Sequence, residues 1–153
     1  MQTPEKDKYI FDTSVLIAFS NLQKLNLLCQ LYSKILIPET VKNEFDEELP
    51  GCCEIIKVDY SSVESLKTQR NIGSGEASVI IYSLSLGDKI TCFIDEQKAR
   101  KIAKERHLKV SGTIGILMRM EEKNLISSAY EETLVLKEKG FHISDKILED
   151  LFA

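Results

Sequence analysis

The chain has no tryptophan, three prolines, two histidines and four cysteines among its 153 residues. His107 and His142 do not lie at zinc-site spacing from Cys29, Cys52, Cys53 or Cys92, and no C-x-x-C occurs. The adjacent Cys52 and Cys53 could bind metal or be redox-active, but the spacing favours buried or idle thiols. No apolar stretch approaches the ~20 residues needed to cross a bilayer, and MQTPEKDKY at the start lacks the apolar core of a secretory leader. A cytoplasmic protein is expected, with no membrane partner. No G-x-G-x-x-G follows the first apolar run and no glycine-rich run ends in G-K-[ST], which argues against dinucleotide binding and a P-loop. An aspartate-nucleophile phosphatase needs a second aspartate two residues after the first, and Ser14 stands there. The net charge of −4 does not mark the whole surface for nucleic acid. A local basic stripe can still coexist with acids that hold divalent cations.

What is present is an ordinary globular composition, 43% hydrophobic and 29% charged, long enough to bury a core without staples. No repeat or linker interrupts it, so residues 1–153 are read as one domain. Short β-type runs occur at Lys8 to Phe11, Lys34 to Ile37, Glu54 to Val58, Ile90 to Ile94 and Leu108 to Val110. Helical segments alternate with them. One or two helices with a break near Asn21 follow the first run. A polar helix over 38–49 follows the second, and a short one over 61–69, capped by Ser61 or Ser62, follows the third. Two glycines precede a helix that Gly87 closes, and QKARKIAKERHL forms a basic amphipathic helix. A helix entered through Gly112 and Thr113 precedes two more, separated by Lys139-Gly140, the last capped by Ser144. This alternation calls for a parallel sheet covered on both faces. The expected fold is a three-layer α/β/α sandwich with a mainly parallel sheet of four or five strands and a helical C-terminal end.

Acids stand at the functional positions of such a sheet. Asp12 closes the first strand and Asp95 and Glu96 follow the fourth, where ligands of open α/β sheets bind. Glu76 lies in the first turn of the helix after the glycines, and Glu44 in the helix after the second strand. The spacings 12 to 44 and 44 to 76 are both 32, and 76 to 95 is 19, each about one βα unit. Carboxylates gathered together repel one another unless a cation neutralises them. An oxygen-only set suits Mg²⁺ or Mn²⁺, and phosphodiester hydrolysis is the natural chemistry. Bland roles stand beside these. Asp12 could cap a helix, or leave capping to Thr13 and Ser14; Glu44 could be one solvated charge among many; Glu76 could complement a helix dipole. Lys98, Arg100, Lys101 and Lys104 on the basic helix could meet a phosphate backbone or simply face solvent.

The blocks IFDTSVLI at 10–17, ILIPETVKNEF at 35–45, GSGEASVIIYSL at 73–84, FIDEQKARKIA at 93–103 with VSGTIGIL at 110–117, and GFHIS at 140–144 resemble the PIN-domain nucleases. The resemblance is to toxins of the VapBC toxin/antitoxin type and their prokaryotic relatives. It implies catalytic roles for Asp12, Glu44, Glu76 and Asp95, with Asp12, Glu76 and an acid of the Asp95/Glu96 pair on the metal. Ser14 would orient Asp12 or a water, and Ser111, Gly112 and Thr113 stand where other branches place a further acid, with Thr113 a second orienting hydroxyl. Lys98, Arg100 and Lys101 become candidate substrate contacts. The activity implied is a Mg²⁺- or Mn²⁺-dependent endoribonuclease acting on single-stranded RNA, dimeric and silenced by a small antitoxin. The alternative is a catalytically inactive PIN-like module that binds RNA or a protein.

Overall fold

A computed structural model describes residues 7–152. Of MQTPEKDKY, which bears the leader reading, residues 1–6 lie outside the described residues, as does Ala153. Five parallel strands, β1 (Lys8–Phe11), β2 (Ile35–Pro38), β3 (Cys53–Ile56), β4 (Ile90–Phe93) and β5 (Lys109–Ser111), form one sheet in the order β3-β2-β1-β4-β5. The register pairs Phe11 with Phe93 and Ile10 with both Cys92 and Leu36. The first strand of the chain is therefore the central strand of the sheet, and Ile10, Phe11, Ile35, Ile37 and Ile90 are all buried. Such apolar continuity is what a strand covered on both faces needs.

Nine α-helices are described: α1 (Thr13–Asn21), α2 (Leu28–Leu31), α3 (Glu39–Glu44), α4 (Tyr60–Arg70), α5 (Ser74–Leu86), α6 (Gln97–Glu105), α7 (Thr113–Glu122), α8 (Ala129–Glu138) and α9 (Asp145–Phe152). The architecture is the expected α/β/α sandwich. Helix α5 lies across β1, β2 and β4 with α4 and α3 beside it, and α7 packs on α8. An aromatic group on the sheet, Tyr9, Phe11, Tyr32 and Phe93, keeps neighbouring rings 4.5–6.1 Å apart. Offset and tilted rings at this range add attraction beyond the area they bury. No described helix is long and apolar enough to cross a membrane.

Three local expectations are corrected. The helix read over 38–49 stops at Glu44, because Phe45 leaves helical geometry (φ −89°, ψ 100°) and is buried in the core. Helix α4 is capped by Asp59, whose carboxylate accepts the Ser62 N–H at 3.2 Å, rather than by Ser61 or Ser62. Cys29 and Cys52 are not idle thiols: a disulfide joins them across 23 residues, from α2 to the entrance of β3. Cys53 and Cys92 stay as free thiols, each pushed up to about 11 by burial.

Candidate active site

The chain runs from β1 outward through β2 to β3 and then returns to place β4 on the other side of β1. The strand order reverses between β1 and β4, and their carboxyl ends flank the crevice where such sheets bind ligands. Asp12 and Asp95 stand at those two ends. The Asp12 N–H donates to Phe93 O at 3.0 Å, which fixes the two ends together.

Asp12 is buried and occupies the N-cap position of α1, yet its side chain makes no capping bond. Thr13 and Ser14 do not cap the helix either. Ser14 Oγ donates to Asp12 Oδ2 at 3.4 Å, and Thr13 Oγ1 donates to Glu44 Oε2 at 2.8 Å. Glu44 is the last residue of α3, a helix tied to α5 by the 2.6 Å bond from Thr40 Oγ1 to Ser78 Oγ. Its other oxygen accepts the Gly75 N–H at 3.1 Å. Gly75 brings the site together by its size. A Cβ there would lie 2.9 Å from Asp12 Oδ1 and 3.1 and 3.2 Å from the two Glu44 oxygens. Only a residue without a side chain lets both carboxylates close on the start of α5. Glu76 follows it, half-buried, and accepts the Gly73 N–H at 3.2 Å.

Across the crevice the ambiguity between the paired acids resolves into two different environments. Asp95 is held by Thr113, whose N–H and Oγ1 donate to its two oxygens at 2.7 and 2.6 Å. Glu96 caps α6, with its oxygens accepting from Lys98 N–H at 3.0 Å and Ala99 N–H at 2.8 Å. Arg100 donates to Ile94 O at 2.8 Å; burial pushes the Asp95 carboxyl up, and the two Thr113 bonds, followed by the Arg100 charge, partly offset that push.

The acids act on one another. Burial is the largest force on Asp12, and the charges of Glu76, Glu44 and Asp95 add to it, so that its pKa is pushed up to about 7. Burial likewise raises Glu76, helped by Glu96 and Glu44. Ser14, Glu76, Asp95 and Glu96 open onto a groove of about 440 Å³. Its far wall is Ile17, Ala18 and Asn21 of α1 and the turn after α8, with Lys139, Gly140, Phe141 and His142. The basic side chains of α6 do not line this groove: Lys98, Arg100, Lys101 and Lys104 line a second groove that adjoins the first at Glu96, and Arg100 also stands beside Asp95.

A crystal structure of PAE2754 from Pyrobaculum aerophilum superimposes with a TM-score of 0.56 at 11% identity, covering 77% of this chain and 99% of that one. At that identity the likeness is one of fold. A comparison with curated proteins found no match. The family model DUF3368, a PIN domain, matches residues 8–153. The chain belongs to the PIN-domain family. PIN domains are generally nucleases and generally use divalent metals, and this one carries its acids at the switch point of its sheet.

The fit of this PIN domain to a divalent cation is one of donor chemistry. Asp12, Glu44, Glu76 and Asp95 are oxygen donors, and Asp12 feels each of the other three charges. Charge of one sign brought together under burial takes up either protons or a cation. Among the described residues, no three acids, histidines or cysteines are arranged to hold an ion as they stand. A cation would therefore have to draw the carboxylates inward, and Ser14, Thr13 and Thr113 limit how far each can turn.

Sequence reasoning missed Thr13 as the holder of Glu44, Gly75 as the point of close approach, and the Lys139–His142 turn as a wall of the groove. Gly75 was visible only as one of two glycines that loosen the chain. The turn was visible as a helix separator and as the GFHIS block, with nothing in the spacing to bring it beside acids more than 40 residues earlier.

Proposed function

We propose that this PIN domain is a Mg²⁺- or Mn²⁺-dependent endoribonuclease that hydrolyses phosphodiester bonds in single-stranded RNA. The observation that supports this best is the meeting of Asp12, Glu44, Glu76 and Asp95 around the crevice between β1 and β4, with Asp12 buried among charges of its own sign. Asp12, Glu76 and Asp95 would hold the cation, with Glu44 and Glu96 beside them. When bound, the cation supplies charge stabilisation on the phosphoryl oxygens and a water acidic enough to attack at neutral pH. The residues of the chain do the positioning. Thr113 fixes both oxygens of Asp95, Thr13 and Gly75 fix those of Glu44, and Ser14 orients Asp12. Ile17 and Ala18 give the groove an apolar wall beside the acids.

Calorimetric titration with Mn²⁺ and cleavage of single-stranded RNA test the reading together. Binding is expected for the wild type and lost in Glu76→Gln, and cleavage is expected to stop with EDTA or Asp12→Asn. Protein that binds no divalent cation and leaves RNA intact, with Asp12→Asn indistinguishable from wild type, overturns it. A second reading, an inactive module that binds RNA or a protein, draws support from the absence of a ready three-carboxylate arrangement among the described residues. RNA binding indifferent to metal would favour it. The resemblance to VapBC toxins further proposes a homodimer silenced by a small antitoxin in the cytoplasm. Light scattering tests the dimer, and the neighbouring reading frame tests the antitoxin.

A further inference from the structure

A polyanion entering the acid groove meets Glu76, Asp95 and Glu96 and needs countercharge within the groove itself. The basic helix supplies it only beside that groove, where Arg100 acts on Asp95 from the neighbouring cleft. Lys98 Nζ donates to Asn71 O at 3.3 Å, Arg100 Nη1 to Ile94 O at 2.8 Å, and the side chains of Lys101 and Lys104 line the second groove. The basic side chains that line the acid groove are Lys139 and His142.

The turn that presents them is built to hold its shape. Helix α8 ends at Glu138, and Gly140 takes φ +101°, which side chains rarely tolerate. Gly140 N–H donates to Lys137 O at 3.1 Å and Phe141 N–H to Leu136 O at 2.9 Å, closing the helix end. Phe141 is half-buried and packs against the core, an anchor between two exposed polar residues. Phe141 and His142 also line a neighbouring cleft of about 330 Å³ that Asp95 and Arg100 share. The turn therefore borders both openings beside Asp95.

We infer that the Lys139–His142 turn is the phosphate clamp of the site, with the Lys139 ammonium and a His142 ring N–H contacting phosphates that flank the one to be cleaved in a single-stranded RNA. The inference rests on the ribonuclease reading and names which residues bind its substrate. An ammonium is a point charge suited to phosphate, and imidazole donates an N–H in either protonation state. Backbone contacts of this kind set the register of the strand over the acids without reading its sequence.

The test is fluorescence anisotropy with a labelled single-stranded RNA in EDTA, so that binding is read without cleavage. Lys139→Gln/His142→Gln is compared with wild type and with Lys101→Gln/Lys104→Gln across a salt series. Loss of both contacts is expected to weaken binding by about tenfold or more and to make the salt dependence shallower by roughly 0.7, the contribution of the one fixed cation, Lys139, on a single strand. Melting temperature and Mn²⁺ affinity are expected to match wild type, since both residues are exposed and neither is placed on the cation. Wild-type affinity and slope in Lys139→Gln/His142→Gln, with the loss appearing in Lys101→Gln/Lys104→Gln, overturn the clamp and leave the nuclease reading standing. Wild-type protein that binds no single-stranded RNA but still binds Mn²⁺ overturns the substrate class and the clamp with it.

Discussion

Replacing Asp12 with asparagine is expected to make the metal-free protein more stable while abolishing its chemistry. A carboxyl whose pKa rises on folding, here from 3.8 to about 7, binds its proton more tightly in the native state. Its contribution is therefore greatest at low pH and is lost as pH climbs from ~4 to ~7, the reverse of an ion-paired acid. Worked through the linkage relation, the destabilisation is about 1.7 kcal/mol at pH 5 and about 4 kcal/mol at pH 8. The wild type should thus lose about 2–3 kcal/mol between those pH values from this residue alone. Asparagine has nearly the same volume, does not titrate and can still accept from Ser14. In EDTA, Asp12→Asn should be the more stable protein at pH 8, by a margin that shrinks by about 2–3 kcal/mol at pH 5. For a chain of this length that change corresponds to ~5–10 °C in melting temperature. Urea denaturation at the two pH values reads the difference directly. Added Mn²⁺ should raise the stability of the wild type and leave the variant unmoved. A variant less stable than wild type at pH 8 in EDTA, or a gap that is equal at pH 5 and pH 8, would refute the reasoning.

Gly75→Ala should leave the fold nearly intact, since alanine favours helix, but its Cβ would press on Asp12 and Glu44; RNA cleavage should drop by about 10²-fold with little change in melting temperature. Thr113→Val removes the hydroxyl bond to Asp95 and should cost about 1–3 kcal/mol in urea unfolding and weaken Mn²⁺ by about 10–100-fold in calorimetry. Cys29→Ser, or reduction by a small thiol, opens the loop closed by Cys52 and should lower stability by about 3 kcal/mol, measured by denaturation with and without reductant.

The layers of the fold were legible because its signals are local. Each β-type run is short, apolar and followed by a polar or glycine-marked helix start, and Gly87 closes α5 where it was expected to. The acids Asp12, Glu44, Glu76 and Asp95 were legible because one βα unit returns the chain to one edge of a parallel sheet. What the sequence did not disclose depends on contacts between distant segments. Phe45 leaves its helix because the core needs its ring, a tertiary demand that outweighs the propensity of the polar run after it. The disulfide joins α2 to the entrance of β3, and only their adjacency in space brings Cys29 and Cys52 within a Cα–Cα distance of 5.6 Å. The division between Asp95 and Glu96 is of the same kind. Thr113, eighteen residues on, selects the first, while the start of α6 takes up the second.

The central place of β1 bears on the order in which the protein is made. Synthesis delivers this strand first, together with Asp12, but its second neighbour, β4, leaves the ribosome only after residue 93. Thr113, which holds Asp95, emerges later still, and the turn at 139–142 later again. Domains form from the N-terminus as they are synthesised, at about 5–20 residues per second. For several seconds the nascent chain carries Asp12 and Glu44 without the partners that complete the crevice. A PIN domain built in this order has no complete crevice until the chain has been made well past Thr113.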